Sequence, residues 1–194
     1  MERKTALLVV DVQNDFCPGG SLAVPEGDEV IAPLNKMIKY GKENGWLIIA
    51  SRDWHPKVTN HFQPYGGMWP VHCVQNSEGA KFHPDLRINN AVIISKGTNP
   101  DENGYSAFDG KTENGLTLAR LLKLNKISEI YVGGLATDYC VRASVLDATE
   151  LMYCVVFLRD ACRAVNLKPD DEEKAIRAMQ NVGVVITDTG DVIS

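Results

Sequence analysis

The 194-residue chain has no apolar stretch approaching the roughly 20 residues that a membrane-spanning helix needs, and no block of Lys or Arg. A membrane partner is therefore not expected, and a formal charge of -5 gives nothing to grip a phosphate backbone, so neither is a nucleic acid. The apolar run at 6–10 is broken by Asp11 and is too short for a signal-peptide core, which predicts a cytoplasmic protein. No CxxC pair occurs, and the cysteines number five, an odd count. That argues against a disulfide framework and for free thiols in a reducing compartment. No GxGxxG follows the short runs, so the Gly133-Gly134 pair does not read as a dinucleotide site. Small molecules or proteins remain as partners.

What is present is a rhythm. Short apolar runs at 6–10, 47–50, 91–94, 130–132, 154–158 and 184–186 are nearly continuous rather than alternating, as in strands buried on both faces of a parallel sheet. Between them lie helical patterns. Residues 29–43 put Val30, Ile31, Leu34, Met37 and Ile38 on one face, with Gly45 as a stop; 115–123 carry Leu118, Leu121 and Leu122. After Pro169, an acidic first turn leads a helix whose expected inner face is Ala175, Ile176, Met179 and Val182, closed by Gly183. Strand and helix alternate without repeat or linker, which predicts one three-layer α/β domain over 1–194. Two long irregular stretches, 55–87 and 97–115, break the pattern, and loops of that length are usually functional or disordered.

In open parallel sheets ligands bind beyond the carboxyl ends of the strands. Those positions hold Asp11, then Asp53 and His55, then Lys96, then a turn running into Cys140. A helix is expected to start at Cys140 with Val141, Val145, Leu146 and Thr149 inward. Its N-terminal partial charge would lower the thiol pKa and favour a nucleophilic thiolate. Position alone leaves a core cysteine open as well. Cys17, Cys73, Cys154 and Cys162 have no base nearby in sequence and read as bystanders. Asp11 and Lys96 read either as a base with its charge partner or as a structural ion pair. Three of the four histidines, His55, His61 and His72, fall with Asp53 within twenty residues, a mixed N/O set suited to Zn, Fe(II) or Mn with positions left for a substrate. His83 has no such company.

Six ordered segments carry a family resemblance. Asp11-Val12-Gln13-Asn14-Asp15-Phe16 with Gly19-Gly20-Ser21-Leu22, Arg52-Asp53-Trp54-His55-Pro56 with His61, and Trp69-Pro70-Val71-His72-Cys73 come first. Ser95-Lys96-Gly97, Tyr105-Ser106-Ala107-Phe108 and Gly134-Leu135-Ala136-Thr137-Asp138-Tyr139-Cys140-Val141 follow. From Leu7 to about Asp160 the chain resembles the nicotinamidases (pyrazinamidases) of the isochorismatase-like cysteine hydrolases. It departs from their pattern at Phe62-Gln63-Pro64-Tyr65.

The resemblance implies a six-stranded, mainly parallel sheet with helices on both faces, and metal-dependent hydrolysis of nicotinamide to nicotinate and ammonia in NAD salvage, with pyrazinamide as an analogue. Cys140 would be the nucleophile that forms a thioester, Asp11 the general base and acid, and Lys96 the supporting cation. Backbone N–H groups of Ala136 and Cys140 would form the oxyanion hole, with a cis peptide at Leu135-Ala136. Asp53, His55 and His72, with His61 as a fourth, would hold one divalent ion, Zn first and Fe or Mn as alternatives, that anchors the pyridine nitrogen. Phe16 and Trp69 would sandwich the ring, Tyr105 would close the pocket, and Leu135 and Ala136 would line it. A homo-oligomer is compatible with the family. Two rivals remain. Relatives acting on carbamoyl or ureido amides share Asp, Lys and Cys but lack the metal ligands; a non-catalytic metal-binding interaction protein would keep only the scaffold.

Overall fold

In the computed structural model, which describes residues 4–194, the first strand shows why its sequence is continuously apolar. Along β1 (Lys4–Val10), Ala6, Leu8 and Val10 point into one core cluster and Leu7 and Val9 into another. Both faces of the sheet are covered, so alternation has no use here.

Among the described residues, β2 (Leu47–Asp53), β3 (Val92–Lys96), β4 (Ile127–Leu135), β5 (Cys154–Arg163) and β6 (Val185–Thr187) complete a six-stranded sheet in the order β3-β2-β1-β4-β5-β6. Every pairing is parallel. Helix α1 (Ile31–Glu43) brings Ile31, Leu34, Met37 and Ile38 to one face, where Val192 and Ile193 of the short α5 (Thr189–Ile193) also pack. The other face is covered by α2 (Leu118–Leu124), α3 (Arg142–Glu150) and α4 (Asp171–Asn181), through residues such as Leu122, Val145 and Met179. The three-layer α/β architecture is as the sequence predicts. No helix among the described residues is long and apolar enough to cross a membrane.

Differences in detail have local causes. A 3-10 turn, Gly27–Val30, precedes α1, so the helix starts two residues later than its apolar pattern. Gly45, at φ +70, ends it, with Trp46 N–H returning to Gly41 O at 2.8 Å. Thr117 caps α2 by accepting from Arg120 N–H, which moves that helix's start to Leu118. In α4 Ala175 and Met179 are buried and Ile176 packs against the same core, as expected; Val182 falls past the last turn and is 46% exposed.

Strand β4 extends past the apolar run at 130–132 and through Gly133 and Gly134. Gly134 sits at φ +131, and a β-carbon there would lie 2.1 Å from Val10 O on the neighbouring strand. The pair Val10–Gly134 therefore brings two backbones together at the point where β1 and β4 end. With chain connections leaving in opposite directions from β1 and β4, this is the switch point of the sheet, where a crevice opens. Replacing Gly134 with Ala should cost about 1–3 kcal/mol or more of unfolding free energy through overpacking, read as a fall in the urea midpoint. An unchanged midpoint would contradict the close approach.

Candidate active site

Four strand ends deliver the central charges. Val10 pairs with both Ser51 and Gly134, and Asp53 pairs with Lys96, so the residues that follow or end β1, β2, β3 and β4 meet at one edge. Lys96 Nζ is buried there, 2.7 Å from Asp11 Oδ2, in a short contact with Asp53 Oδ1, and 3.4 Å from Cys140 Sγ. It also donates to Gly104 O at 2.7 Å. Ser51 Oγ donates to Asp11 Oδ1 at 2.7 Å. One carboxylate oxygen each from Asp11 and Asp53 and the sulfur of Cys140 lie within 4.8 Å of one another.

Two carboxylates flank one ammonium, and their environments separate them. For Asp53, burial alone would raise the pKa, but the Lys96 charge and the imidazoles of His55 and His72 outweigh it and hold the carboxyl well below the usual range. For Asp11, burial and the like charge of Asp53 win over Lys96, and the carboxyl is pushed up. Burial would lower Lys96, yet the two carboxylates keep it firmly protonated. Asp53 is thus a fixed anion and Asp11 the group able to exchange a proton.

Cys140 stands in a π-helical turn, Thr137–Val141, that leads into α3, so the helical segment starts earlier than expected. Ser144 and Ala148 take inward positions, leaving Leu146 and Thr149 half-buried. Ser144 Oγ ties the turn by donating to Cys140 O at 2.7 Å. Asp138 accepts from Val165 N–H and Asn166 N–H at 3.0 and 2.9 Å, anchoring it to the chain after β5. The Leu135-Ala136 peptide is cis. The expected lowering of the Cys140 pKa is not what the structure gives. Burial pushes the thiol well above its ordinary value, with Lys96 pulling the other way and the Asp11 hydrogen bond favouring the protonated form. The resting group is a thiol beside a base. Of the remaining cysteines, Cys17, Cys73 and Cys162 are buried and Cys154 is exposed; burial lifts the Cys17 thiol to about 11.

The second half of the site shares Asp53. Its Oδ2 faces His55 Nε2 at 3.6 Å and His72 Nε2 at 3.8 Å, and one ring nitrogen from each of His55, His61 and His72 falls within a 4.8 Å cluster. Pro70 O can only accept, so His72 Nδ1 donates to it at 2.7 Å, leaving the Nε2 lone pair free. Burial pushes His61 down to about 4, so it is neutral near pH 7. Both nitrogens of the fully buried His55 lack a hydrogen-bond partner. A neutral His61 imidazole, an ionised carboxylate and the orphaned buried nitrogens of His55 fit a divalent cation, since buried polar atoms otherwise find partners. The departure after His61 does not disturb this. Phe62 is fully buried and stands edge-on to His55 and His72, each at 5.4 Å, walling the cluster.

A cavity opens over Cys140 and this cluster. Phe16, Trp69, Tyr105, Leu135 and Ala136 line it, as do Asp53, His61 and His72, while Asp11, Lys96 and His55 lie outside its lining. Trp69 Nε1 donates to Tyr105 Oη at 2.9 Å. Sequence reasoning missed Leu22, Val24, Tyr139 and Val165 in the lining, the last of which comes from a loop remote in sequence. It also missed Gln13, a buried amide that accepts from Asp53 N–H and donates to Asp53 O, both at 2.8 Å, and donates to Ala80 O. Its position two residues after Asp11 was the available signal. His83 sits apart, 3.9 Å from Asp85.

The Isochorismatase domain family matches residues 5–191. The nicotinamidase of Escherichia coli (strain K12) is 43% identical over 93% of each chain. The pyrazinamidase of Pyrococcus horikoshii, solved in complex with zinc, has 49% identity and a TM-score of 0.87, covering 95% of this chain and 99% of that one. The yeast nicotinamidase bound to the inhibitor nicotinaldehyde has 28% identity and a TM-score of 0.85, with 95% and 99% covered.

Removing one member of a buried charge cluster leaves the others uncompensated. Lys96→Ala should destabilise the fold by roughly 3–5 kcal/mol at neutral pH. The two carboxyls would then titrate higher in the folded than the unfolded chain, so the folded state binds more protons and stability recovers as pH falls toward about 4–5. Urea unfolding at several pH values checks this; a loss independent of pH would contradict the charge assignment.

Proposed function

The chain belongs to the isochorismatase domain family, and from that premise we propose that it is an amidohydrolase that converts nicotinamide to nicotinate and ammonia, its whole length acting as one hydrolase domain. The observation that carries this reading is the single ammonium of Lys96 in contact with Asp11, Asp53 and Cys140 at once, beside a histidine cluster that shares Asp53.

Asp11 takes the proton of the Cys140 thiol as the sulfur attacks the carboxamide carbon, and Lys96 offsets the negative charge left on sulfur. The backbone N–H groups of Ala136 and Cys140, at the opening of the π-helical turn, receive the oxyanion of the tetrahedral intermediate. Asp11 returns its proton to the amide nitrogen, the C–N bond breaks, ammonia leaves and a thioester remains on Cys140. Asp11 then draws a proton from a water that attacks the thioester carbon; collapse expels the Cys140 thiolate, which takes that proton back from Asp11, and the acid formed gives up its own proton to solvent and leaves as nicotinate. The raised pKa of Asp11 suits it to both directions of transfer.

Asp53, His55, His61 and His72 would hold the divalent ion, zinc first, which when bound supplies one directional anchor for the pyridine nitrogen. Phe16 and Trp69 hold the flat ring by its faces, and Tyr105, tied to Trp69, closes over it. Fixing the ring at both faces and one edge places the carboxamide at the sulfur, and such positioning is a large share of rate enhancement. The family resemblance gives the product its place in the cell, with nicotinate feeding NAD salvage.

Two measurements test the reading. Cys140→Ala should lower kcat for ammonia release from nicotinamide by at least about 10³-fold, with folding intact by circular dichroism. Retention of full activity would remove the nucleophile assignment. Chelation should abolish turnover and zinc should restore it; failure to hydrolyse nicotinamide with any added metal, together with hydrolysis of a carbamoyl amide, would move the chain to that other branch of the fold.

A further inference from the structure

Three consecutive residues in the 97–115 loop each bond to a different part of the site. Asn103 Oδ1 is 3.3 Å from His61 Nδ1, Gly104 O accepts from Lys96 Nζ, and Tyr105 Oη accepts from Trp69 Nε1. Pro100 O pins the start of this segment, accepting from Asn60 N–H at 3.0 Å and Thr59 Oγ1 at 2.8 Å. Gly104 has φ +63, and a β-carbon there would sit 2.4 Å from Gly97 N. The chain is thus folded tightly against the end of β3, and in that path one residue reaches His61 while the next reaches Lys96.

We propose that Asn103 is a positioning residue for metal binding: its side-chain oxygen accepts the His61 Nδ1 proton and so fixes the tautomer whose Nε2 lone pair serves as a ligand. The inference rests on the metal reading given above and adds a residue to it. Neutral imidazole has one donor and one acceptor nitrogen, and the partner of the first decides which nitrogen can bind a cation. His72 is fixed in this way by a backbone carbonyl, Pro70 O. His61 has the Asn103 side chain instead, which makes its orientation open to a single substitution. Partners of this kind typically change metal affinity about 10- to 100-fold when removed. Asn103 is exposed and its truncation opens no core cavity.

The experiment is zinc affinity of the full chain by competition with a chromophoric chelator, for the parent, Asn103→Ala, Asn103→Asp and the neighbouring control Asp101→Ala. Expected are a zinc affinity weakened about 10- to 100-fold in Asn103→Ala, parental or tighter binding in Asn103→Asp, which keeps the acceptor, and no change in Asp101→Ala. At saturating zinc, kcat of Asn103→Ala should return to near the parental value, since Asn103 touches no reacting atom. Parental affinity in Asn103→Ala, equal weakening in Asn103→Asp, or equal weakening in Asp101→Ala would each overturn the proposal while leaving the metal site standing. A parent protein that binds no zinc would overturn both.

Discussion

The rest of the site depends on one buried ammonium held between two carboxylates. Taking each of these ions out of water costs several kcal/mol, and a well-packed apolar set of the same volume is often as stable or more so. Lys96 is therefore poorly explained as a stability device. It is well explained as a junction: with Asp11 and Asp53 on either side and Gly104 O accepting as well, its charge is presented to Cys140 Sγ at 3.4 Å. The register that pairs Val10 with Ser51 and Gly134, and Asp53 with Lys96, is what holds this geometry.

A shared cation makes the two carboxylates different rather than alike. Asp53 uses Oδ1 for Lys96 and Oδ2 for the histidines, so both its oxygens are committed to charged or polar partners and it stays ionised. Asp11 is buried more severely for the help it receives, and its carboxyl rises. Separating the pKa values of neighbouring acids is how one site obtains a permanent charge and a proton carrier from the same residue type. Gln13 holds the Asp53 backbone in place through both polar atoms of its amide.

The sheet and its strand-end residues were legible in the sequence because parallel strands bury both faces and say so in continuous Val, Ile and Leu. Asp11, Asp53, Lys96 and the cysteine of the fourth turn could be located from that pattern alone. Legibility failed where the backbone rather than the side chain decides. The apolar run at 130–132 understates its strand, which goes on through Gly133-Gly134 because two backbones approach there. The Cys140 pKa was misjudged because a helix N-terminus is visible in sequence and the depth of burial is not. Val165 could not be weighed, and Gln13 was signalled only by its place two residues after Asp11, since the contacts of both lie far away in sequence.

The division between strand and loop also separates what the site does from what it can recognise. The proton-transfer set stands at strand ends or on the turn that β4 runs into, in positions that the sheet register fixes within narrow limits. The aromatic walls and two of the clustered histidines stand on the long connections, whose paths are set by local bonds such as Gln63 N–H to Trp69 O at 2.7 Å and Asp15 Oδ2 accepting from Cys73 N–H at 2.7 Å. Substitution in those connections can therefore move ring faces and ligand nitrogens without shifting the base or the thiol, whereas Gly104, whose carbonyl accepts from Lys96 Nζ, ties one of them to the ammonium. Asp53 is the one residue that belongs to both sets, and it joins the chemistry of the sheet edge to the recognition built on the loops.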